Sequence, residues 1–278
     1  MPPLPQLDHA VINVHFAMDL AEPLFSALGF SLMPRGYDSL GSIHHLMVFG
    51  SDYLELIGLT GEAENTYPEL LASPIGINGL AFKTSDVDQT FAHLQTLGMA
   101  GDPPRPVERA VHLSGGWVTL TFRMVTVRSD VVPAGRVYFC EHGTPELVWR
   151  SEWQNHTNGT ARITEVVIVS TDPEAEAIRY ANLVEAPKLD GQDGAYHIPL
   201  AEAELSILSP AQYTARYRDL ISPINRRPSI FGAVVMAGSD LAALTKQLRY
   251  MPEPVPVSIN GNRISVRMSE FDSVLEFV

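Results

Sequence analysis

"LDHAVINVHF", residues 7–16, decides how the rest of the chain is read. An imidazole, His9, stands at the start of an apolar strand, and a helical pattern with an acidic opening follows at Asp19. The same plan returns in "NGLAFKTSDVDQTFAHLQTLGM", "ITEVVIVSTDPEAEAIRYANL" and "FGAVVMAGSDLAALTKQLRYM". Each is a short apolar strand, a polar or acidic cap, and a helix with one apolar stripe, such as Leu20, Leu24 and Leu28. Asp19 with Glu22 and Ser85 with Asp88 have the offset of a capping box, and Pro173 after Asp172 suits a first helical position. "LGF" and "LGM" place a glycine where the first two helices stop.

After each helix come alternating stretches, the last of which carries a glutamate: Glu55 in "YLELIGL", Glu146 in "TPELVWR", Glu204 in "AELSILSP" and Glu276 in "SVLEFV". In "YLELI" a period of two puts Tyr53, Glu55 and Ile57 on one face. The unit therefore reads strand, helix, then about three strands, and its copies start roughly 65 to 90 residues apart.

Composition bounds the partners. With 278 residues, 45% hydrophobic and 18% charged, the chain has material for two globular domains. A net charge of −13 and a single adjacent arginine pair, Arg226–Arg227, argue against nucleic acid, which needs clustered cations. No apolar run approaches the length that spans a bilayer, so no membrane partner is expected. The start lacks a basic segment with an apolar run, and the lone Cys140 can form no internal disulfide. A cytoplasmic location follows as the expectation, and with it no use for the glycosylation strings at Asn155 and Asn158. A small molecule is the expected partner, with the chain a monomer or homodimer.

Four βαβββ units with His on a first strand and Glu on last strands resemble the vicinal oxygen chelate superfamily, most closely its glyoxalase-like branch. The resemblance implies an α+β fold of two tandem domains with curved, mainly antiparallel sheets, over residues 1–155 and 156–278. It further implies a divalent metal (Fe, Zn, Ni, Co or Mn) held between paired units by up to two His and two Glu. Carried over, His9, Glu55 and Glu146 are ligands, while the second histidine falls at Gly79, beside Asn78, and is missing. His44 and His45 face opposite ways on one strand, and His45, sharing a face with Met47 and Phe49, is the preferred substitute; His142 is the other. Tyr53, Asn78, His44, His142 and Trp149 are expected to line the substrate pocket. Glu55, where it is not a ligand, is the expected general base, its pKa raised by an apolar pocket. The resemblance implies isomerase, lyase or dioxygenase chemistry on vicinal oxygens, or metal-free sequestration of a small molecule, as in bleomycin resistance.

The second half keeps Glu204 and Glu276 but offers Thr164 or Glu165 in place of His9, and Gly232 in the fourth unit. It reads as a degenerate copy. Cys140 has no base partner beyond nearby His142, and His197 reads as a structural strand residue.

Overall fold

A computed structural model describes residues 4–38, 41–61, 67–186 and 189–278. The four units appear in order. The first is β1 (Leu7–His15), α1 (Met18–Ala27), β2 (Gly36–Asp38), β3 (Ser42–Val48) and β4 (Tyr53–Leu59), followed by the short α2 (Pro68–Ala72). The second is β5 (Gly76–Lys83), α3 (Val87–Thr96), β6 (Arg105–Leu113), β7 (Gly116–Thr126) and β8 (Arg136–His142), followed by α4 (Pro145–Val148). The third is β9 (Arg162–Ser170), α5 (Pro173–Leu183), β10 (Asp190–Gln192), β11 (Ala195–Pro199) and β12 (Glu204–Leu208), with α6 (Pro210–Tyr217) after it. The fourth is β13 (Ser229–Ala237), α7 (Leu241–Leu248), β14 (Val257–Asn260), β15 (Arg263–Met268) and β16 (Ser273–Phe277).

The first eight strands close into a barrel in the order β1-β4-β3-β2-β6-β7-β8-β5, and the last eight form an open sheet, β10-β11-β12-β9-β13-β16-β15-β14. In both, the first strands of paired units run antiparallel (β1 with β5, β9 with β13), and each first strand lies parallel to the last strand of its own unit. The expected tandem α+β architecture is present.

The helices form where the apolar stripes predict them, but two caps differ. Ala17 precedes α1 and makes no side-chain cap; Asp19 and Glu22 instead engage Arg35. Asp86, rather than Ser85, caps α3 by accepting from the backbone N–H groups of Asp88 and Gln89. Asp172 caps α5 with Pro173 behind it, as read. Gly29 and Gly98 take φ of +90° and +68° at the two helix stops, a conformation that other residues rarely adopt.

One apolar core joins the halves. Phe25 and Phe30 of the first meet Phe271 and Phe277 of the second, with ring centroids 6.1 and 6.0 Å apart, in a cluster continuous through both sheets. A buried polar contact crosses with it: Asp52 Oδ1 accepts from the Ile163 backbone N–H at 3.0 Å. Burial pushes the Asp52 carboxyl up to about 7, against the lowering effect of that bond and of Lys83.

Candidate functional site

Closing the barrel turns alternate residues of its strands inward, several of them polar. His9 (β1), His44 (β3), Glu55 (β4), Arg109 (β6) and Tyr138 (β8) meet in its interior. Glu55 is the centre. Its Oε1 accepts from His44 Nδ1 at 2.7 Å and pairs with Arg109 Nη2 at 2.9 Å, while its Oε2 lies 3.3 Å from His9 Nε2. His9 Nδ1 donates to Asp8 Oδ2 at 2.8 Å, and its Nε2 shares a 2.8 Å hydrogen bond with the Tyr138 hydroxyl. Asp8 also accepts from His142 Nε2 at 2.9 Å, so a hydrogen-bonded chain runs His142–Asp8–His9–Tyr138. His9, Glu55 and Asp8 are all essentially inaccessible to water.

The electrostatics follow from these contacts. Burial pushes the Glu55 carboxyl up, but Arg109, His44 and His9 together outweigh it and hold the group well below its usual range. The expected raised pKa is therefore corrected: a carboxylate stabilised by three donors is a poor base. For His9, burial favours the neutral ring, yet its bonds to Asp8 and Glu55 raise its pKa overall. Tyr138 is pushed well above its usual value by burial and by the Glu55 charge, so it stays a proton donor. Asp8 is held ionised by His142 and His9 against its burial.

Tyr138, Glu55, His44 and Arg109, with Ile57, Val107 and Met124, line a cavity of about 180 Å³. This is below the ~300–1,000 Å³ of drug-sized sites and suits a small ligand. His142, Cys140 and Trp149 line a separate hollow with Lys83, which sits 4.0 Å over the Trp149 ring. Cys140 is buried there, and burial pushes its thiol well above the ordinary range, which leaves it unreactive.

The residues singled out in the sequence separate accordingly. His9, His44 and Glu55 converge. His45 does not: it lies on the outer face of β3, bonded to the Met33 carbonyl and Glu22 beneath α1. Glu146 does not either, because "TPELV" is the short helix α4 rather than a strand, and its side chain is exposed. Tyr53 stacks on His9, with ring centroids 4.2 Å apart, and Trp149 lies edge-on to Tyr53 and to His142. Tyr53, Trp149, His142 and Asn78 stand outside the residues lining the cavity at Glu55; Asn78 is buried, its Oδ1 without a partner among the described residues.

Strand register shows what replaced the expected ligands. On β4, Tyr53 and Glu55 lie opposite His9 and Val11; on β8, Arg136 and Tyr138 lie opposite Gly79 and Ala81. Tyr138 thus stands in the second unit where Glu55 stands in the first, and "RVYFCEH", not "TPELVWR", is the strand to align with "DYLELIG". That alternating stretch carried the signal. Tyr138, Arg109, Arg136 and Asp8 were the residues that the reading of ligand types missed. At Gly79 a Cβ would lie 2.9 Å from the Cβ of Val11, so no histidine fits there.

These facts bear on the metal. A divalent cation between paired units needs imidazoles and carboxylates from both. Here the second unit offers a glycine and a phenol, and the buried Arg109 guanidinium already supplies positive charge to Glu55. Among the described residues no three His, Cys, Asp or Glu side chains are placed to hold a metal. The donor set does not fit the divalent ion that the superfamily often uses.

Residues 7–184 match the model of the glyoxalase-like domain family. The chain belongs to that family, within the vicinal oxygen chelate superfamily, and the match runs through β9 and α5 of the second half. A hypothetical protein from Staphylococcus aureus shares the fold over 99% of each chain at 12% identity, with a TM-score of 0.67. A mutant of 4-hydroxymandelate synthase from Streptomyces coelicolor does so over 99% of this chain and 92% of its own, at 13% identity and TM-score 0.56. A xylose isomerase-like TIM barrel/4-hydroxyphenylpyruvate dioxygenase fusion protein matches 99% of this chain with half of its own, at 12% identity and TM-score 0.58. No curated protein matches the chain. Among the described residues, no helix is long and apolar enough to cross a membrane.

Proposed function

We propose that the barrel binds a small oxygen-bearing organic molecule and activates it by proton donation, as a metal-independent member of its superfamily. The observation that carries this reading is the phenol of Tyr138, hydrogen-bonded at 2.8 Å to a histidine that is itself held by a buried aspartate. Asp8 fixes the His9 tautomer and favours its protonated form; His9 in turn can resupply a proton through Tyr138. Tyr138 and Arg109 both line the cavity, so together they can stabilise negative charge growing on a substrate oxygen. Glu55 anchors the cluster electrostatically. As Tyr138 gives its proton to the carbonyl oxygen, solvent water takes the proton from the adjacent carbon, and the resulting enol exchanges with solvent on return. Under this reading the site belongs to the domain formed by residues 1–155, residues 156–278 form the second, and a cytoplasmic monomer or homodimer acts on a small molecule.

The test is deuterium exchange into a panel of small keto and hydroxy acids in D2O, followed by proton NMR. Exchange is expected to survive chelator treatment, to gain nothing from added Zn²⁺, Mn²⁺ or Fe²⁺, and to be lost in Tyr138→Phe. Exchange that appears only with metal overturns the proposal. A second reading, sequestration without turnover, is favoured by one observation: Glu55, the central carboxylate on the cavity wall, is held ionised by three partners and so is a poor proton acceptor. Ligand binding with no exchange for any member of the panel supports that reading instead.

A further inference from the structure

On the reading of this cavity as a ligand site, we infer that the molecule it takes is a carboxylate, received by Arg136 with Arg109. Arg136 opens β8 and lines the cavity, and only its Nη1 is used, donating to the Tyr67 hydroxyl at 3.3 Å. Its Nε and Nη2 are shut off from water with no acceptor, and it has no ion-pair partner among the described residues. Arg109 spends Nη2 on Glu55 and leaves its own buried Nε and Nη1 unpartnered. A buried guanidinium N–H without an acceptor is costly, so two arginines that line one cavity and keep such N–H groups call for an acceptor, which either side chain reaches by turning toward the cavity.

The acids of the wall do not meet this demand. Glu55 is saturated by Arg109, His44 and His9; Asp38 accepts from Ser42 and faces His44; Glu69 is exposed. Arg105 adds a third cation to the lining. A carboxylate answers the geometry, since its two oxygens match the parallel N–H pairs of a guanidinium edge. The apolar part of the lining, Ile57, Val107 and Met124, requires the rest of the ligand to be apolar and compact. Arg109 then serves twice, holding Glu55 and sharing the ligand with Arg136.

The probes are malonate and benzoate against malonamide and benzamide, with inorganic phosphate alongside, measured by titration calorimetry on the full chain at neutral pH. The acids are expected to bind at least about tenfold more tightly than the amides, a contrast set by charge-assisted bidentate bonding. Arg136→Met should lose about tenfold in affinity for the acids, and Arg136→Lys should recover part of it, since an ammonium keeps the charge but not the fork. Equal binding of acid and amide, unchanged affinity in Arg136→Met, or a preference for phosphate overturns the inference. The acid–amide contrast uses the unaltered protein, so it holds whatever a variant does to folding. Carboxylate binding without deuterium exchange sinks the proton-donation proposal and leaves this one standing. Exchange into neutral substrates with no preference for acids does the reverse.

Discussion

The barrel and the open sheet place different groups at the same four positions. By strand register, Glu165 stands where His9 does, Ser206 where Glu55 does, Ala233 where Gly79 does and Glu276 where Tyr138 does. In the barrel, β2 pairs with β6 and closes the wall, burying Arg109 beside Glu55 and leaving guanidinium N–H groups of this cavity-lining residue without a partner. In the second half β10 and β14 are short, exposed edges that do not meet. Its hollow, about 540 Å³, is lined by Arg216 of α6 with Glu165, Glu276 and Arg263, which pair with one another. Arg216 donates to both oxygens of Glu165 at 2.6 and 2.8 Å and reaches Glu276 at 3.1 Å, while Tyr217 donates to Glu276 at 2.7 Å and Arg263 pairs with it as well. Charges that satisfy one another hold a structure together; donors left unsatisfied ask for a ligand. The degenerate half is degenerate in this sense.

The largest expected effect tests that contrast on the carboxylates. Glu55→Gln strands Arg109 and two imidazoles in a dry interior and is expected to cost about 3–5 kcal/mol, read from urea denaturation. Glu276→Gln leaves Arg216 its bidentate bond to Glu165 and faces a half-exposed Arg263, so about 1–2 kcal/mol is expected. Equal losses would break the comparison.

The junction between the halves comes next. Asp52 keeps its proton to about pH 7 when folded, against an ordinary value of 3.8, so the folded state holds more protons between those limits and stability falls as pH rises through them. Asp52→Asn keeps an acceptor for the Ile163 N–H and removes this penalty. It is expected to raise Tm at pH 8 by about 3–6 °C and to leave it nearly unchanged at pH 4. A pH-independent shift would rule the mechanism out.

Within the barrel the pH limits have opposite signs. Glu55 lies below its unfolded value of 4.5, so its contribution is present above that pH and lost on acidification. His9 lies above its unfolded value of 6.5, so its contribution is complete below that pH and fades as alkali deprotonates the folded form. A thermal-melt series should therefore peak between roughly pH 4.5 and 6.5, with Glu55→Gln flattening the acid limb. Asp8→Asn should lower the His9 pKa, followed by imidazole NMR, because Asp8 bonds the ring directly. The smallest effect is expected of Arg216→Met: its side chain is about a quarter exposed and Glu276 keeps Tyr217 and Arg263, so about 1 kcal/mol.

Much of this was legible in residue order. Periodicity of two and of 3.6, with acidic helix starts and glycine stops, set the strand–helix–three-strand unit and its four repeats, because those patterns depend only on which side chains must face an interior. His9 and Glu55 could be named by carrying the resemblance onto first and last strands, and His44 only as one of two adjacent candidates. The choice between His44 and His45 could not, since parity separates two faces without saying which is inside. Glu146 misled because "PELV" following a turn is as good a helix start as a strand end.

What sequence by itself determined is the repeated scaffold and two members of its centre, His9 and Glu55. Which groups complete that centre was decided only when the sheet closed. Pairing of β2 with β6 brought Arg109 across the barrel, the register of β5 with β8 set Tyr138 beside Ala81 within reach of His9, and that of β1 with β5 left Val11 in the space a second histidine would need. These are contacts between residues as many as 129 positions apart, and no local pattern of side chains encodes them.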